Sequence, residues 1–418
     1  MKNKKAILFF LLTISVTVNA QELALDSILR IIEQNNPELK MFNAQISAMD
    51  AYAQGAKSWD APQVGTGFFM TPYNPMMWRA DKANYNNGMG SYMLSVQQMI
   101  PNQTKLKANE TYMKSMSGVE KENKNYIRNQ LLSDAKMSYN ESVLLQKKIK
   151  VLNETETFLN LVIQSTEIRY SYNQDKLGSI YKAKAQLGEV QSMQIMFQNE
   201  LQQNIIMLNT LMNREKTTFF QVDTTFSIYN YDIQKIDTSS FNSIRSDLKA
   251  IDQTIVLLKA KKDLEYSKRL PDFGIKYDHM FSFGSQPQLF TLMGMVTVPI
   301  VPWSNKMYKS SVLGLENDTK ALEIQKQGII NETTGKLEIL KSKIGFQKQQ
   351  IKLYEESIIP SFRKNYQATL LAYEQNTEEL FMVLDAIQML RMNQITYLDL
   401  VQQLLLLQTE YEKEIEQN

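Results

Sequence analysis

The sequence predicts a mostly α-helical protein with a membrane β-barrel portion, built from a duplicated unit of helix, β-hairpin and long helical pair. Three observations predict this class. Residues recur at a nearly constant interval, short strand patterns alternate with very long helical patterns, and the chain opens with an export signal. Internal repeats decide the architecture of a whole chain, so each element of the first copy should have a counterpart in the second.

The duplication is visible as identical residues that recur at one of two fixed intervals along the chain. Some recur 209 positions later and others 201 positions later, so one deletion of eight residues, between Gly65 and Pro101, reconciles the intervals. The unit is about half the protein, which indicates a duplicated supersecondary block rather than a short solenoid repeat. The matched pairs are Leu39/Leu248, Lys40/Lys249, Pro62/Pro271 and Gly65/Gly274, then Pro101/Pro302, Lys105/Lys306, Gln146/Gln347, Lys147/Lys348, Leu152/Leu353, Glu154/Glu355, Tyr172/Tyr373 and Ala185/Ala386.

The first twenty residues are typical of a secretory signal. Lys2, Lys4 and Lys5 precede an almost wholly apolar run, Ala6–Val18, and Ala20 closes an A-x-A-like cleavage site. A retained membrane anchor is the alternative, but the run is shorter than the ~20 residues that a spanning helix needs. Because no second run of spanning length follows, we do not expect a helical inner-membrane protein.

Composition excludes several classes of function. Without the three signal lysines, the 46 basic residues fall to 43 against 44 acidic residues, which gives no electrostatic footprint for nucleic acid. The chain has no cysteine and one histidine, His279, so disulfides, a lipid-anchor thiol and Cys–His catalysis are excluded. It has neither a glycine-rich phosphate loop nor a metalloprotease helix motif. We therefore predict neither an enzyme nor a cofactor.

Repeat one begins with two helices. An apolar stripe from Leu25 to Ile32 has helical spacing, and Asn35–Pro37 interrupts it. A second helix should continue to about Trp59 and end before Pro62.

Strand signals follow, and they are clearest in repeat two. Residues 273–283 alternate apolar and polar side chains, and after a turn the apolar residues from Phe290 to Ile300 share one face. Residues 64–71 and 92–100 match them in repeat one, where the connecting loop is eight residues longer. This length and alternation suit tilted membrane strands, and a soluble sandwich is the alternative. His279 is in phase with the aromatic face and is expected to be a wall residue.

Each hairpin is followed by a long helical pair. No proline occurs between Pro101 and Pro271, so residues 105–168 should form a nearly continuous helix that turns near 172–178 and returns to about Asn213. Repeat two should turn at 373–379 and return along a seam of coiled-coil spacing. Long helices with an apolar seam need packing partners along their length.

These patterns give the predicted domain boundaries. They are a signal peptide at 1–20; repeat one at 21–216, with a hairpin at 62–100 and a helical pair at 104–213; an inter-repeat equatorial segment at 217–245; and repeat two at 246–418, with a hairpin at 271–301 and a helical pair at 304–415.

Two hairpins give four strands, and four strands cannot close into a barrel. Open sheet edges do not occur in lipid, and the smallest single-chain barrels have eight strands. Either the strands are soluble or several chains pool them. Three chains would supply twelve strands and a lumen wide enough for water.

At this point the chain resembles the TolC-like outer-membrane efflux proteins from about Leu23 to its end. The resemblance rests on the opening Leu23-Ala24-Leu25 with Asn36-Pro37-Glu38-Leu39, on the duplication and on the two helical turns. Relatives often have Ser or Thr in place of Ala24. At each turn they tend to have an aromatic residue, a glycine three positions later and an Asp/Asn–Ala pair about nine positions after that. The corresponding residues here are Tyr172, Asp175 and Lys184-Ala185, and Tyr373, Asn376 and Asp385-Ala386.

The replacement of both turn glycines is mild, because Asp175 and Asn376 are residue types that tolerate the left-handed conformation. The resemblance implies a homotrimer with a twelve-stranded barrel in the outer membrane of a Gram-negative bacterium and a periplasmic helical barrel. Implied partners are a periplasmic adaptor (membrane fusion) protein, an inner-membrane pump and outer-membrane lipid, with no nucleic acid. The implied function is the duct of a tripartite efflux or type I secretion system. Alternatives are a component of Cu(I)/Ag(I)-type cation efflux, as in the heavy-metal branch, and a structural periplasmic coiled coil.

The resemblance also suggests site residues. Asp385 matches an acidic residue that rings the aperture in some relatives, where three copies would attract cations; a solvated helix carboxylate is the alternative. A second acidic ring would fall at Met382, which weakens the predicted constriction. The predicted adaptor contacts at the tips are Tyr172, Asp175, Gly178, Tyr373, Asn376, Glu378 and Glu379.

Hairpin one is rich in methionine, whose thioether is a soft ligand suited to Cu(I) and, by the same argument, Ag(I). Ordinary packing is the alternative, because methionine fills irregular gaps. The candidate metal ligands are Met70, Met76, Met77, Met89, Met93 and Met99.

Overall fold

A computed structural model describes residues 22–81, 86–223, 241–299 and 301–416. The predicted signal peptide at 1–20, Ile300 and most of the inter-repeat segment (224–240) lie outside these ranges. The described chain is mostly helical with a small β-sheet, as the sequence predicted. None of its described helices combines the length and apolar character needed to cross a membrane.

The elements follow one another in the same order in both repeats. The helices are α1 (Leu25–Asn35), α2 (Pro37–Gln54), α3 (Gln103–Ser171), α4 (Leu177–Leu211), α5 (Phe241–Ile244), α6 (Ser246–Ser267), α7 (Pro302–Leu353), α8 (Ile359–Glu374) and α9 (Leu380–Glu414). The strands are β1 (Glu22–Leu23), β2 (Gln63–Phe69), β3 (Ala80–Asp81), β4 (Asn86–Asn87), β5 (Ser91–Ile100), β6 (Gln221–Val222), β7 (Asp272–Ser282) and β8 (Leu289–Thr297).

The long outgoing helices differ between the repeats. Helix α3 runs unbroken for 69 residues, in keeping with its lack of proline. In repeat two a π-helical segment, Tyr354–Ile358, separates α7 from α8, whose second residue is Pro360. A proline inside a helix lacks the N–H donor and crowds the carbonyl four residues earlier, so the regular ladder is broken there.

The chain forms two compact units, and each contains parts of both repeats. One comprises residues up to 37, 129–234 and 337–418, and is here called the turn unit. The other comprises 38–128 and 235–336, and is here called the sheet unit. The compact units therefore cut across the two repeats.

The turn unit has a continuous apolar core along its helices. Its lysine Lys148 is 4% exposed, but the ammonium group lies 2.6 Å from Asp399 Oδ1 and 2.8 Å from Gln402 Oε1, which offsets the cost of burying the charge. The buried core residues are Leu145, Leu152, Leu159, Val162, Ile163, Ala183, Val190, Phe197, Tyr373, Leu380, Val383, Leu384 and Ile395.

The sheet unit contains one four-stranded antiparallel sheet in the order β2-β5-β7-β8. The two hairpins join through β5 and β7, whose register runs from Ser91↔Ser282 to Ile100↔Phe273. Strands β2 and β8 are the edges of this sheet. One face is apolar and exposed: Val64, Phe68, Tyr92, Leu94, Val96, Phe273, Ile275, Tyr277, Phe281, Phe290, Leu292 and Val296.

The loop that follows β2 packs against the turn between β7 and β8. The Trp78 ring stacks on Phe283 at 5.4 Å and lies 5.5 Å from Phe68. Gly88 and Gly284 both have positive φ, 78° and 73°, and a Cβ on either would lie 2.9 Å from the Cα of the other. Glycine is therefore required at this crossing of two backbones.

Candidate functional site

The two helix connections of the turn unit have the same backbone conformation. Turn one comprises residues 172–176 and turn two comprises residues 375–379. Asn173 and Asn376 each adopt φ 56°, in the left-handed region. In turn one the Gln174 N–H donates to the Arg169 carbonyl at 2.9 Å, and in turn two the Thr377 N–H donates to Ala372 at 2.9 Å. Each turn is thus a Schellman motif closed by asparagine instead of glycine.

This geometry corrects the predicted register of turn one. The left-handed residue is Asn173 and not Asp175, so the turns are related by 203 positions and not by 201. Tyr170, rather than Tyr172, is the counterpart of Tyr373. The pair Lys182-Ala183, rather than Lys184-Ala185, is the counterpart of Asp385-Ala386, and both Ala183 and Ala386 are buried. Single-residue identity matched the wrong tyrosine because tyrosines stand at both 170 and 172.

A side-chain network joins the two turns, and we call it the latch: Arg169, Asp175, Tyr373 and Asn376. Asp175 Oδ2 accepts hydrogen bonds from Arg169 Nε at 3.1 Å and from the Tyr373 hydroxyl at 2.7 Å. The Arg169 guanidinium also lies 4.8 Å from the centre of the Tyr373 ring and donates to the Asn376 side-chain oxygen. One arginine therefore contacts three groups, of which Tyr373 lies at the end of α8 and Asn376 in turn two.

Within the latch Tyr373 is buried, Arg169 and Asp175 are half-buried, and Asn376 is exposed. Tyr373 is 8% exposed, and burial, reinforced by its hydrogen bond to Asp175, raises the pKa of Tyr373 to about 12. The neutral phenol is therefore the form that this structure stabilises. A second contact between the turns, Lys176 Nζ to Glu379 Oε1 at 2.7 Å, is exposed at both ends.

The other predicted tip residues surround the latch without entering it. Tyr172 is 72% exposed, and Glu378 is also exposed. Gly178 has open space where a Cβ would lie. Glu378 and Glu379 line an open polar cleft of about 390 Å³ together with Asp175 and Lys176. Sequence reasoning missed Arg169 and Asn173; the spacing of Tyr170 and Asn173 could have identified the latter.

The predicted aperture residues lie on the first turns of α9. Asp385 is half-buried and Met382 is exposed. The Lys182 ammonium lies 3.0 Å from the centre of the neighbouring Phe381 ring. Asp385 therefore lies one helical turn after Phe381, the residue whose ring contacts the Lys182 ammonium group.

The six predicted methionine ligands do not form one cluster. Met70, Met76, Met77 and Met89 are exposed in and around the loop after β2, whereas Met93 and Met99 lie on β5. Met93 and Met99 are six residues apart along the strand, or roughly 20 Å, so one ion cannot bind both. Among the described residues no group of three or more His, Asp or Glu side chains could hold a metal ion.

His279 occupies the apolar face of β7, as expected from its phase. Its ring packs edge-on against Phe281 at 4.4 Å, and its Nδ1 lies 3.5 Å from the Tyr277 hydroxyl. It belongs to the aromatic surface of the sheet.

The chain shares this fold with outer-membrane channels of known structure. VceC from Vibrio cholerae aligns with a TM-score of 0.73 and 15% identity, covering 94% of this chain and 95% of that chain. CusC aligns with a TM-score of 0.75 and 13% identity, covering 96% and 95%. The Campylobacter jejuni channel CmeC aligns with a TM-score of 0.71 and 13% identity, covering 94% and 85%. Comparison with curated protein sequences finds no match.

The fold of this chain is therefore the fold of these outer-membrane channels. Residues 28–214 match the sequence model of the family described as outer membrane efflux protein. This match bears out the resemblance to TolC-like proteins, and the predicted outer-membrane location and function in efflux rest on it. The family is one of transport channels and not a class of enzymes.

Proposed function

We propose that three copies of this chain form the outer-membrane duct of a tripartite efflux system and receive cargo from a periplasmic adaptor and an inner-membrane pump. The observation that carries the proposal is the four-stranded sheet. One of its faces is apolar and exposed, and its edge strands β2 and β8 each pair on one side within the described chain. An exposed apolar face and strand edges without a second partner are both unfavourable for a single copy of the chain.

The edges specify how copies would meet. Unpaired strand edges are costly in lipid, where water cannot satisfy backbone N–H and C=O groups. Pairing β8 of one copy with β2 of the next satisfies both edges and closes a barrel. Three copies give twelve strands, with the apolar face toward lipid and the face of Gly274 and Asp278 toward water.

The latch supports a gated tip. It holds turn two against turn one through a half-buried carboxylate, and such contacts are costly to break one partner at a time. We propose that the latched turns form the closed periplasmic end, that Asp385 lies near its constriction, and that an adaptor docks at the cleft bordered by Glu378 and Glu379. Three Asp385 carboxylates converging there would favour cations.

The first experiment tests assembly. Detergent-solubilised protein should sediment as three chains and show trimer-sized, heat-modifiable migration from outer-membrane fractions. In planar bilayers it should conduct, and Asp385→Ala should reduce cation selectivity while Glu378→Ala leaves it unchanged. A stable monomer with full strand content would overturn the duct. A structural coiled coil would instead be extracted without detergent.

The second experiment tests the lipid face. Val296 and Thr297 are neighbours on β8 with side chains on opposite faces of the sheet. Val296→Arg should destabilise the inserted protein by roughly 2–4 kcal/mol if Val296 lies near the bilayer midplane, whereas Thr297→Arg should be tolerated better. Equal effects at the two positions, measured by urea unfolding in lipid, would contradict the assigned faces.

A further inference from the structure

The face of the sheet opposite the aromatic surface carries methionines from three strands. Strand register places Met99 of β5 and Met295 of β8 on either side of Gly274 of β7. Further along the same face, Met93 is paired directly with Met280. Two of these residues, Met280 and Met295, belong to hairpin two, so the methionine-rich composition of hairpin one did not group them.

Gly274 leaves room above it for the ends of two methionine side chains, the Met99 sulfur and the Met295 methyl group. A Cβ built at this position would lie 2.6 Å from Met99 Sδ and 3.1 Å from Met295 Cε. The side chains of the two flanking strands therefore both end over the same glycine, in the space that any larger residue would fill. Met99 and Met295 are each half-buried, so the pair is shielded but reachable.

The chemistry of this pair is selective. A thioether is an uncharged, polarizable donor that prefers soft monovalent cations to hard ions such as Mg²⁺ or Ca²⁺. The chain has no thiolate, and its single histidine lies on the opposite face of β7. Methionine sulfur is consequently the softest donor that this face presents.

A buried carboxylate lies between the two methionine pairs. Asp278 is 5% exposed and follows Gly274 by four residues on the same face. Its Oδ2 pairs with Lys276 at 3.1 Å, and the Ser95 hydroxyl, which faces it from β5, also hydrogen-bonds the carboxylate. The carboxylate therefore already has partners on this face of the sheet.

We propose that Met99 and Met295 form a binding site for a soft monovalent cation of the Cu(I) or Ag(I) class, with Met93 and Met280 as a second pair along the same strands. Asp278, ion-paired with Lys276, lies between the two methionine pairs. Binding itself requires only the folded sheet. A role in transport, in which the methionine pairs contact cations that pass through the duct, rests on the proposed function.

The test uses the full chain in detergent and Ag(I) as the probe, with binding measured by isothermal titration calorimetry. Met99→Leu and Met295→Leu should each weaken binding about tenfold or more, which is the scale of losses at disturbed metal sites. Gly274→Ala should weaken it similarly although every sulfur is retained, because the new Cβ displaces Met99. The matched control is Met196→Leu with Met392→Leu, which removes two exposed helical methionines and should change nothing.

Circular dichroism and sedimentation of each variant separate misfolding from lost ligands. Unchanged Ag(I) affinity in Met99→Leu/Met295→Leu, or equal weakening by the helical control, would overturn the site and leave the methionines as packing. If the protein fails to form trimers or conduct but these variants still lose Ag(I) binding, the site stands and the proposed duct fails.

Discussion

The two helix turns have the same backbone and different side chains. Both close with asparagine at φ 56° and with the same pair of backbone hydrogen bonds. At the position after the motif, however, turn one carries the half-buried Asp175 and turn two carries the exposed Glu378. In the helix before it, turn one carries Arg169 where turn two carries Ala372. Duplication thus preserved the turn itself, and the latch arose from what differs between the copies.

The largest expected effect comes from removing the carboxylate of Asp175, which turn one contributes to the latch. Asp175→Ala leaves Arg169 without its carboxylate and the Tyr373 hydroxyl without its acceptor, and should lower the free energy of opening of the turns by about 2–4 kcal/mol. Hydrogen exchange of peptides spanning the turns measures this free energy. Glu378→Ala, at the matching position of turn two, should change it by less than about 0.5 kcal/mol. Equal effects would mean that the turns are energetically alike.

The next largest effect should be the difference in stability cost between removing the hydroxyl of Tyr373 and that of its counterpart, Tyr170. Tyr373→Phe removes a hydrogen bond to a charged acceptor and should cost about 1.5–3 kcal/mol, whereas Tyr170→Phe should cost little. The same exchange measurement reports both. If Tyr170→Phe is the more damaging variant, the assigned latch is wrong.

The contribution of the Tyr373 hydroxyl to stability should depend on pH with a definite sign. The pKa of Tyr373 is raised from 10.0 to about 12 in the folded chain, so its contribution is complete below pH 10 and is lost as pH rises toward 12. The stability advantage of the wild type over Tyr373→Phe should shrink across this window. An advantage that grows with alkaline pH would contradict the neutral phenol.

The shared backbone predicts nearly equal effects at the two asparagines. Asn173→Ala and Asn376→Ala both place a Cβ-bearing residue without local hydrogen bonds in the left-handed region, at a cost of about 1–2 kcal/mol each. Asn376→Ala should be somewhat worse because it also removes the Arg169 acceptor. Asn173→Gly should be close to neutral in thermal unfolding, and a large loss there would show that the asparagine side chain itself is needed.

The smallest effect should come from the exposed contact between the turns. Lys176→Ala breaks the pair with Glu379, which is open to solvent on both sides, and should cost less than about 1 kcal/mol. Even this should vanish in 1 M salt, where exposed charges are screened within a few ångströms. A salt-independent loss in hydrogen exchange would place this pair inside the latch.

The sequence predicted features that depend on local pattern. The strand alternation of 273–283 placed β7, and the absence of proline after Pro101 placed α3. It could not predict the latch, because Arg169 and Asn376 are 207 positions apart and only the fold brings them together. The turn register failed because two nearby tyrosines made the identity match ambiguous.

The methionines show a different limit. Composition drew attention to hairpin one, where methionine is frequent, but the face of a strand is set by phase. Met280, Met293 and Met295 share the face of Met99, and the period of two in each strand would have indicated this once β5 and β7 were known to be neighbours. Pairing of the hairpins was the missing fact.

The π-helical segment before Pro360 also bears on how the repeats diverged. One extra residue in a regular helix would rotate everything after it by about 100°, turning an apolar stripe away from its partners. Repeat two has two extra residues between Glu355 and Tyr373, and the π-helical turn takes up one of them within its own few residues. Helix α8 can then present Tyr373 to the core although its length has drifted from that of its twin. The π-helical turn also lacks the regular α-helical hydrogen bonds. We therefore expect it to be the most flexible part of the long helix of repeat two, whereas the unbroken α3 should remain rigid.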